Sequence, residues 1–146
     1  MNLELSHVSN ALTYKVVGGL ASYFDTAAEY SAGRATSADI LRTIMTGQYQ
    51  LWVLLDRDSN RMHGFFVTEF RNYPQRRMLV VQHVVLDAHL MALIEGKMQD
   101  VAAAYARENG CAGVEFVGRP GWKKHAEQNG YTLRSVTYEK MFEEKS

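Results

Sequence analysis

Three strand-like runs joined by turns too short for a crossover occupy Gln50 to Asp87, and they restrict the fold more than any other feature. "QLWVLLD" leads through the turn "RDSNR" into "MHGFFVTEFR", rich in aromatic and β-branched residues, and then through "NYPQ" into "RMLVVQHVVLD". Connections this short join antiparallel neighbours, because a parallel pair needs a connection of roughly a dozen residues or more. The predicted meander has central members apolar on both faces, so helices must cover it on each side.

The downstream pattern supplies one cover. Met91, Ile94, Met98, Val101 and Tyr105 recur at helical steps, with Glu95, Gln99 and Arg107 turned the other way, which is the pattern of an amphipathic helix. "ENGC" stops it, Gly110 suiting the left-handed C-terminal position, and "GVEFVG" follows as a short strand. Strand, helix, strand is a crossover unit, which predicts two parallel strands within residues 78–118. A short helix in "GWKKHAEQNG" and a last strand, "YTLRSVTYEKMF", complete the pattern.

Upstream, Leu12, Val16, Leu20, Phe24 and Ala27 predict a helix within residues 8–30, where Gly18 and Gly19 mark close packing or a break. "GRATSADILRTIMTG" predicts a shorter helix, capped by Thr36 with Asp39 following, that buries Ile40, Leu41, Ile44 and Met45. Trp52 is expected in the core beneath these two helices. The sum is an α/β fold with a mixed sheet of about six strands, antiparallel at the front and parallel across the long helix, and about four helices. One domain over residues 1–146 is expected.

Charge narrows the function classes. Sixteen basic side chains balance sixteen acidic ones, so no net positive field draws the chain to nucleic acid or an anionic membrane. Cys111 has no partner for an internal disulfide, and "LVVQHVVL" is too short to span a bilayer. "MNLELSHVSN" lacks the basic-then-apolar build of a signal peptide, so a cytoplasmic protein is expected, in the host cytoplasm if a virus encodes it. The histidines and the cysteine show no metal-ligand spacing, and no serine nucleophile elbow is present, so no metal site is expected. Arg71, Arg76 and Arg77 around "NYPQ", with Lys123 and Lys124 further on, read as solvated surface.

The element order, with "AYARENGCAGVEFVG" and "HAEQNGY", resembles the GNAT superfamily of acyl-CoA-dependent N-acetyltransferases from about Val8 to Phe142. "AYARENGCAGVEFVG" is similar to the end of that fold's long helix and its fifth strand, and "HAEQNGY" to its helix-to-strand turn ending in Gly-Phe or Gly-Tyr. "GQYQLWVLLD" with "GRPGWKKHAEQNGY" is similar to short GNAT-like proteins of tailed bacteriophages. The resemblance implies that the fourth and fifth strands splay apart and admit acyl-CoA. Its pyrophosphate would lie on a Gln/Arg-x-x-Gly-x-Gly/Ala loop at the start of the long helix, where unpaired N–H groups and a partial positive charge favour anions. It also implies that backbone groups of Val84, Val85, Leu86 and Asp87 orient the acyl-pantetheine, and that an amine attacks the thioester directly without Cys111.

Two positions depart from that pattern. "LDAHLMALIEGK" holds no Gly-x-Gly, and Glu95 stands where the second glycine belongs; a register slipped by a few residues would bring Gly96 and Lys97 there instead. Ala126 stands where the family's tyrosine protonates the departing CoA thiolate. Tyr131 fills the structural aromatic position, which leaves Tyr138 as the nearby phenol. For a general base, Glu69 and His83 lie on adjacent predicted strands, and either side chain can take a proton from an amine. Two functions stay open: an acyl-CoA-dependent N-acyltransferase acting on an amine, or a non-catalytic GNAT fold that serves in a phage particle or binds a host protein.

Overall fold

The structure, a computed structural model, describes residues 1–142. Five strands form one sheet in the order of the sequence: β1 (Leu3–Val8), β2 (Gln50–Asp56), β3 (Arg61–Asn72), β4 (Arg77–Leu86) and β5 (Gly113–Phe116). The first four run antiparallel, as short turns require, and β5 lies parallel to β4 across a helical crossover. Helices α1 (Val17–Tyr30) and α2 (Ser37–Met45) cover one face. Helix α3 (Met91–Glu108) covers the other, and α4 (Lys123–Gln128) follows β5.

Strand alternation sorts the core into two layers. Leu51 and Val53 of β2 pack with Phe65 and Val67 against Leu20, Phe24, Ile40 and Ile44 of α1 and α2. Trp52, between them, points the other way, joins Phe66, Leu79 and Val81, and meets Met98, Ala102 and Ala106 of α3. It therefore lies beneath the long helix and not beneath α1 and α2, because adjacent residues of a strand face opposite sides. The indole N–H donates to Thr68 Oγ1 at 3.1 Å, so its polar atom is satisfied inside the core.

Several local expectations change. Helix α1 begins only at Val17; Asn10–Lys15 form a 3₁₀ turn, and Leu12 is exposed rather than core. The preceding "LELSHV" is the edge strand β1, whose half-buried pattern gave a weak apolar signal. Gly19 faces the Met62 side chain, whose terminal methyl would have to shift to admit a Cβ. The Thr36–Asp39 capping box opens α2, but Met45 at its end is exposed.

The last strand is not formed: residues 131–142 make no ladder, and nearly all are exposed. Tyr131 is held against Phe116 and donates to Gln99 of α3, while Glu139 pairs with Arg34 after α1 at 2.5 Å. These two anchors tie the segment to β5 and α3 at one end and to the chain after α1 near the other. Strand propensity alone does not make a strand without a backbone partner. Among the described residues, no helix is long and apolar enough to cross a membrane.

Gly64 on β3 has φ +138, and a Cβ there would collide with the carbonyl of Val85 and the backbone of Leu86. Gly64→Ala is expected to cost about 2 kcal/mol or more, from strain plus collision. Urea unfolding checks this, and a wild-type midpoint would contradict so close an approach of β3 to β4.

Candidate functional site

The site begins where β4 stops pairing with β5. Their ladder runs from Met78↔Gly113 to Val81↔Phe116 and ends there. On its other edge β4 bulges: Val67 pairs with Gln82 but Phe65 pairs with Val85, so His83 and Val84 together oppose Phe66. His83 takes φ 51, a left-handed conformation that histidine rarely adopts. Past the bulge, a cleft of about 610 Å³ opens, within the size range of small-molecule sites.

Three sets of residues wall this cleft. Val84, Val85 and Leu86 come from β4, Met91, Glu95 and Met98 from α3, and Phe116, Trp122 and Ala126 from the β5–α4 side. Tyr30 at the end of α1 closes one flank, with the Arg119 guanidinium stacked over its ring at 4.3 Å. The Pro120–Trp122 turn that starts in "GRPGW" thus puts Trp122 against Phe116 in the cleft wall.

The corner between β4 and α3 is pinned by Asp87. Its carboxylate accepts from Tyr23 Oη at 2.7 Å and lies 2.8 Å from His63 Nδ1, and its backbone N–H donates to the His63 carbonyl at 2.9 Å. Burial pushes the Asp87 carboxyl up, but the hydrogen bonds from His63 and Tyr23 outweigh it and hold it below the usual carboxylate range. Burial, with Asp87 beside it, pushes the Tyr23 phenol up to about 12. Of the four residues expected to offer backbone groups, Val84, Val85 and Leu86 line the cleft, whereas the Asp87 N–H is already engaged. Tyr23 and His63 were not assigned to this corner from sequence, since nothing local links residues this far apart.

Glu69 and His83 sit by the bulge, and neither is part of the cleft wall. Glu69 accepts from Gln82, from Gln48 at 3.4 Å and from Arg71 at 3.3 Å. His83 packs edge-on against Tyr49 at 5.7 Å. Burial lowers the His83 pKa against the opposing pull of Glu69, so the ring is neutral at pH 7.

At the α3 side, Glu95 Oε2 lies 3.0 Å from His125 Nδ1, so this contact bridges α3 and α4 in the cleft wall. Ala126 lines the cleft and offers no proton. The Tyr131 hydroxyl is bound to Gln99, and burial pushes its pKa up to about 12. Tyr138 is 91% exposed and is not part of the cleft wall.

Several solved structures that share this architecture are acetyltransferases. A glucosamine-6-phosphate N-acetyltransferase from Arabidopsis thaliana superposes with a TM-score of 0.69 at 13% identity, covering 98% of this chain and 100% of its own. A GNAT family acetyltransferase from Staphylococcus aureus gives 0.67 at 12% identity, covering 97% and 100%. A predicted acetyltransferase from Clostridium acetobutylicum, solved with acetyl-CoA, gives 0.67 at 10% identity, covering 95% and 96%. No protein-family profile and no curated protein matches the sequence. The chain therefore has the GNAT fold, established by its architecture and not by sequence similarity.

Because the folded-state pKa of Asp87 is depressed, its contribution to stability is complete above the ordinary carboxylate range and is lost as pH falls through the lowered value. Asp87→Asn is expected to lower stability by about 1–3 kcal/mol at neutral pH. The gap to wild type should close as pH falls below the ordinary carboxylate value of about 4. Denaturant unfolding on both sides of that value checks the sign; a gap that stays constant would rule out the charged network.

Proposed function

We propose that the cleft holds the pantetheine arm of an acyl thioester, acyl-CoA being the form the fold family uses, and that the protein transfers the acyl group to an amine. The observation that carries this reading is the cleft that opens where β4 and β5 stop pairing, with His83 in the β3–β4 bulge next in sequence to Val84 of its wall. Beyond Val81 the free edge of β4 faces the cleft, so its backbone groups are available to the amides of the arm in the manner of an added strand.

A cationic amine first gives one proton to solvent, and the chemistry then needs one proton acceptor at the site. The amine nitrogen attacks the thioester carbonyl, a C–N bond forms as the C–S bond breaks, and the nitrogen's proton passes to His83, which is neutral at pH 7. Glu69, whose carboxylate is already bound by three side chains, serves to attract a cationic amine to the site. A thiol has a pKa of about 8.5, so the thiolate leaves without a dedicated acid, and Ala126 is no obstacle.

The whole of acyl-CoA fits less well than its arm. The first turns of α3 offer no glycine before Gly96, and the Glu95 carboxylate stands in the wall. Glu95 and Ala126 favour a second reading, a non-catalytic GNAT fold that acts in a phage particle or on a host protein. Likeness to short phage proteins agrees with either reading.

Release of free thiol from acetyl-CoA or S-acetylpantetheine, followed across a panel of amines, tests the transfer. His83→Ala is expected to lower kcat by about 10²–10⁴-fold. The wild-type kcat/KM should hold to about pH 6.5 and fall below it, since a base with a lowered pKa protonates late. No thiol release with any amine, together with the protein's presence in purified virions, would select the second reading.

A further inference from the structure

We propose that the cleft selects an acyl-pantetheine arm that carries no nucleotide diphosphate, and that Glu95 sets this selectivity. The proposal rests on the transferase reading and names its donor. An arm seated with its acyl end at the His83 bulge runs along the apolar faces of Val84 and Leu86 and of Met91 and Met98. Those surfaces suit the slim, uncharged body of pantetheine.

The outer end of the arm reaches the opening turns of α3, where the character of the wall changes. A diphosphate at this point needs donors and close backbone approach. The backbone here provides no glycine for such an approach. Ala88, His89, Leu90 and Met91 all carry side chains, and the Leu90 N–H already donates to the Asp87 carbonyl. Glu95 presents a carboxylate whose side chain is 24% exposed, held at 3.0 Å by His125 from the opposite wall. Partial burial weakens the screening of that charge, so a diphosphate beside it meets repulsion that a neutral arm does not.

His125 offsets the carboxylate only when protonated, and its position fixes Glu95 in the wall rather than removing its charge. A carrier protein's phosphopantetheine and a free pantetheine thioester share the arm and lack the diphosphate. Arg119, exposed at the cleft flank, can meet the single phosphate of the carrier-borne form.

Calorimetric titration at about pH 8, above the ordinary histidine range, tests this with acetyl-CoA, S-acetylpantetheine and an acetylated phosphopantetheine-bearing carrier protein. Wild type is expected to bind S-acetylpantetheine at least about tenfold more tightly than acetyl-CoA. Glu95→Gln, close in shape, should bring the two within about threefold by strengthening acetyl-CoA alone. His125→Ala, which removes the tie but keeps the carboxylate, should preserve the preference. Tighter binding of the carrier-borne arm than of the free thioester names a carrier as the donor, and equal or weaker binding names the small molecule. A wild-type preference for acetyl-CoA, or a gap unchanged in Glu95→Gln, overturns the assignment while leaving the transferase intact. Failure of all three donors to bind overturns the transferase reading itself.

Discussion

Everything distinctive about this molecule depends on the end of one hydrogen-bond ladder. β4 and β5 are bonded as far as Val81 and Phe116, and then β4 inserts an extra residue against β3. A bulge bends and twists the strand that carries it. With β5 only four residues long, nothing draws β4 back, and the space between them becomes a cleft instead of sheet. The left-handed backbone of His83 is the local cost of that bend, held in place by the ladders on either side of it.

The bend must be kept in register, and Asp87 does this at the far side of the bulge. It joins α1 through Tyr23, β3 through His63 and the approach to α3 through its own backbone. Gly64 contributes from β3 by letting the Val85 carbonyl come close. The β4 wall of the cleft is therefore tied to α1, β3 and the approach to α3. The cleft's other wall depends on weaker ties: the Glu95–His125 pair, the Phe116–Trp122 contact and the guanidinium of Arg119 over Tyr30. These groups decide which head group the cleft accepts, whereas the bulge decides that a cleft exists.

Much of the fold was legible because its signals are local. β2 is bounded as its apolar run predicted, and the stripe from Met91 to Tyr105 placed α3 and hence the parallel pair. The failures are equally physical. β1 has a half-buried pattern too faint to separate from the following turn, and residues 131–142 have strand composition but no backbone partner. For the site, Glu95 and Ala126 were visible by counting along the chain, and both line the cleft. Glu69 and His83 were visible as polar residues in apolar strands. Tyr23 and His63 carried no such signal, since their shared partner Asp87 lies far away in sequence.

The sequence by itself determined the three-strand meander, the long helix with the parallel pair that follows from it, and the two chemical departures at the cleft, because periodicity, caps and residue identity are properties of the chain alone. Tertiary structure decided which face each strand residue takes, so that Trp52 packs beneath α3. It also decided that Tyr23, His63 and Asp87 meet, that His125 braces Glu95, and that residues 131–142 make no ladder. Each of these depends on register and on contacts between distant segments, and a one-residue change of register reverses the face of every side chain in a strand.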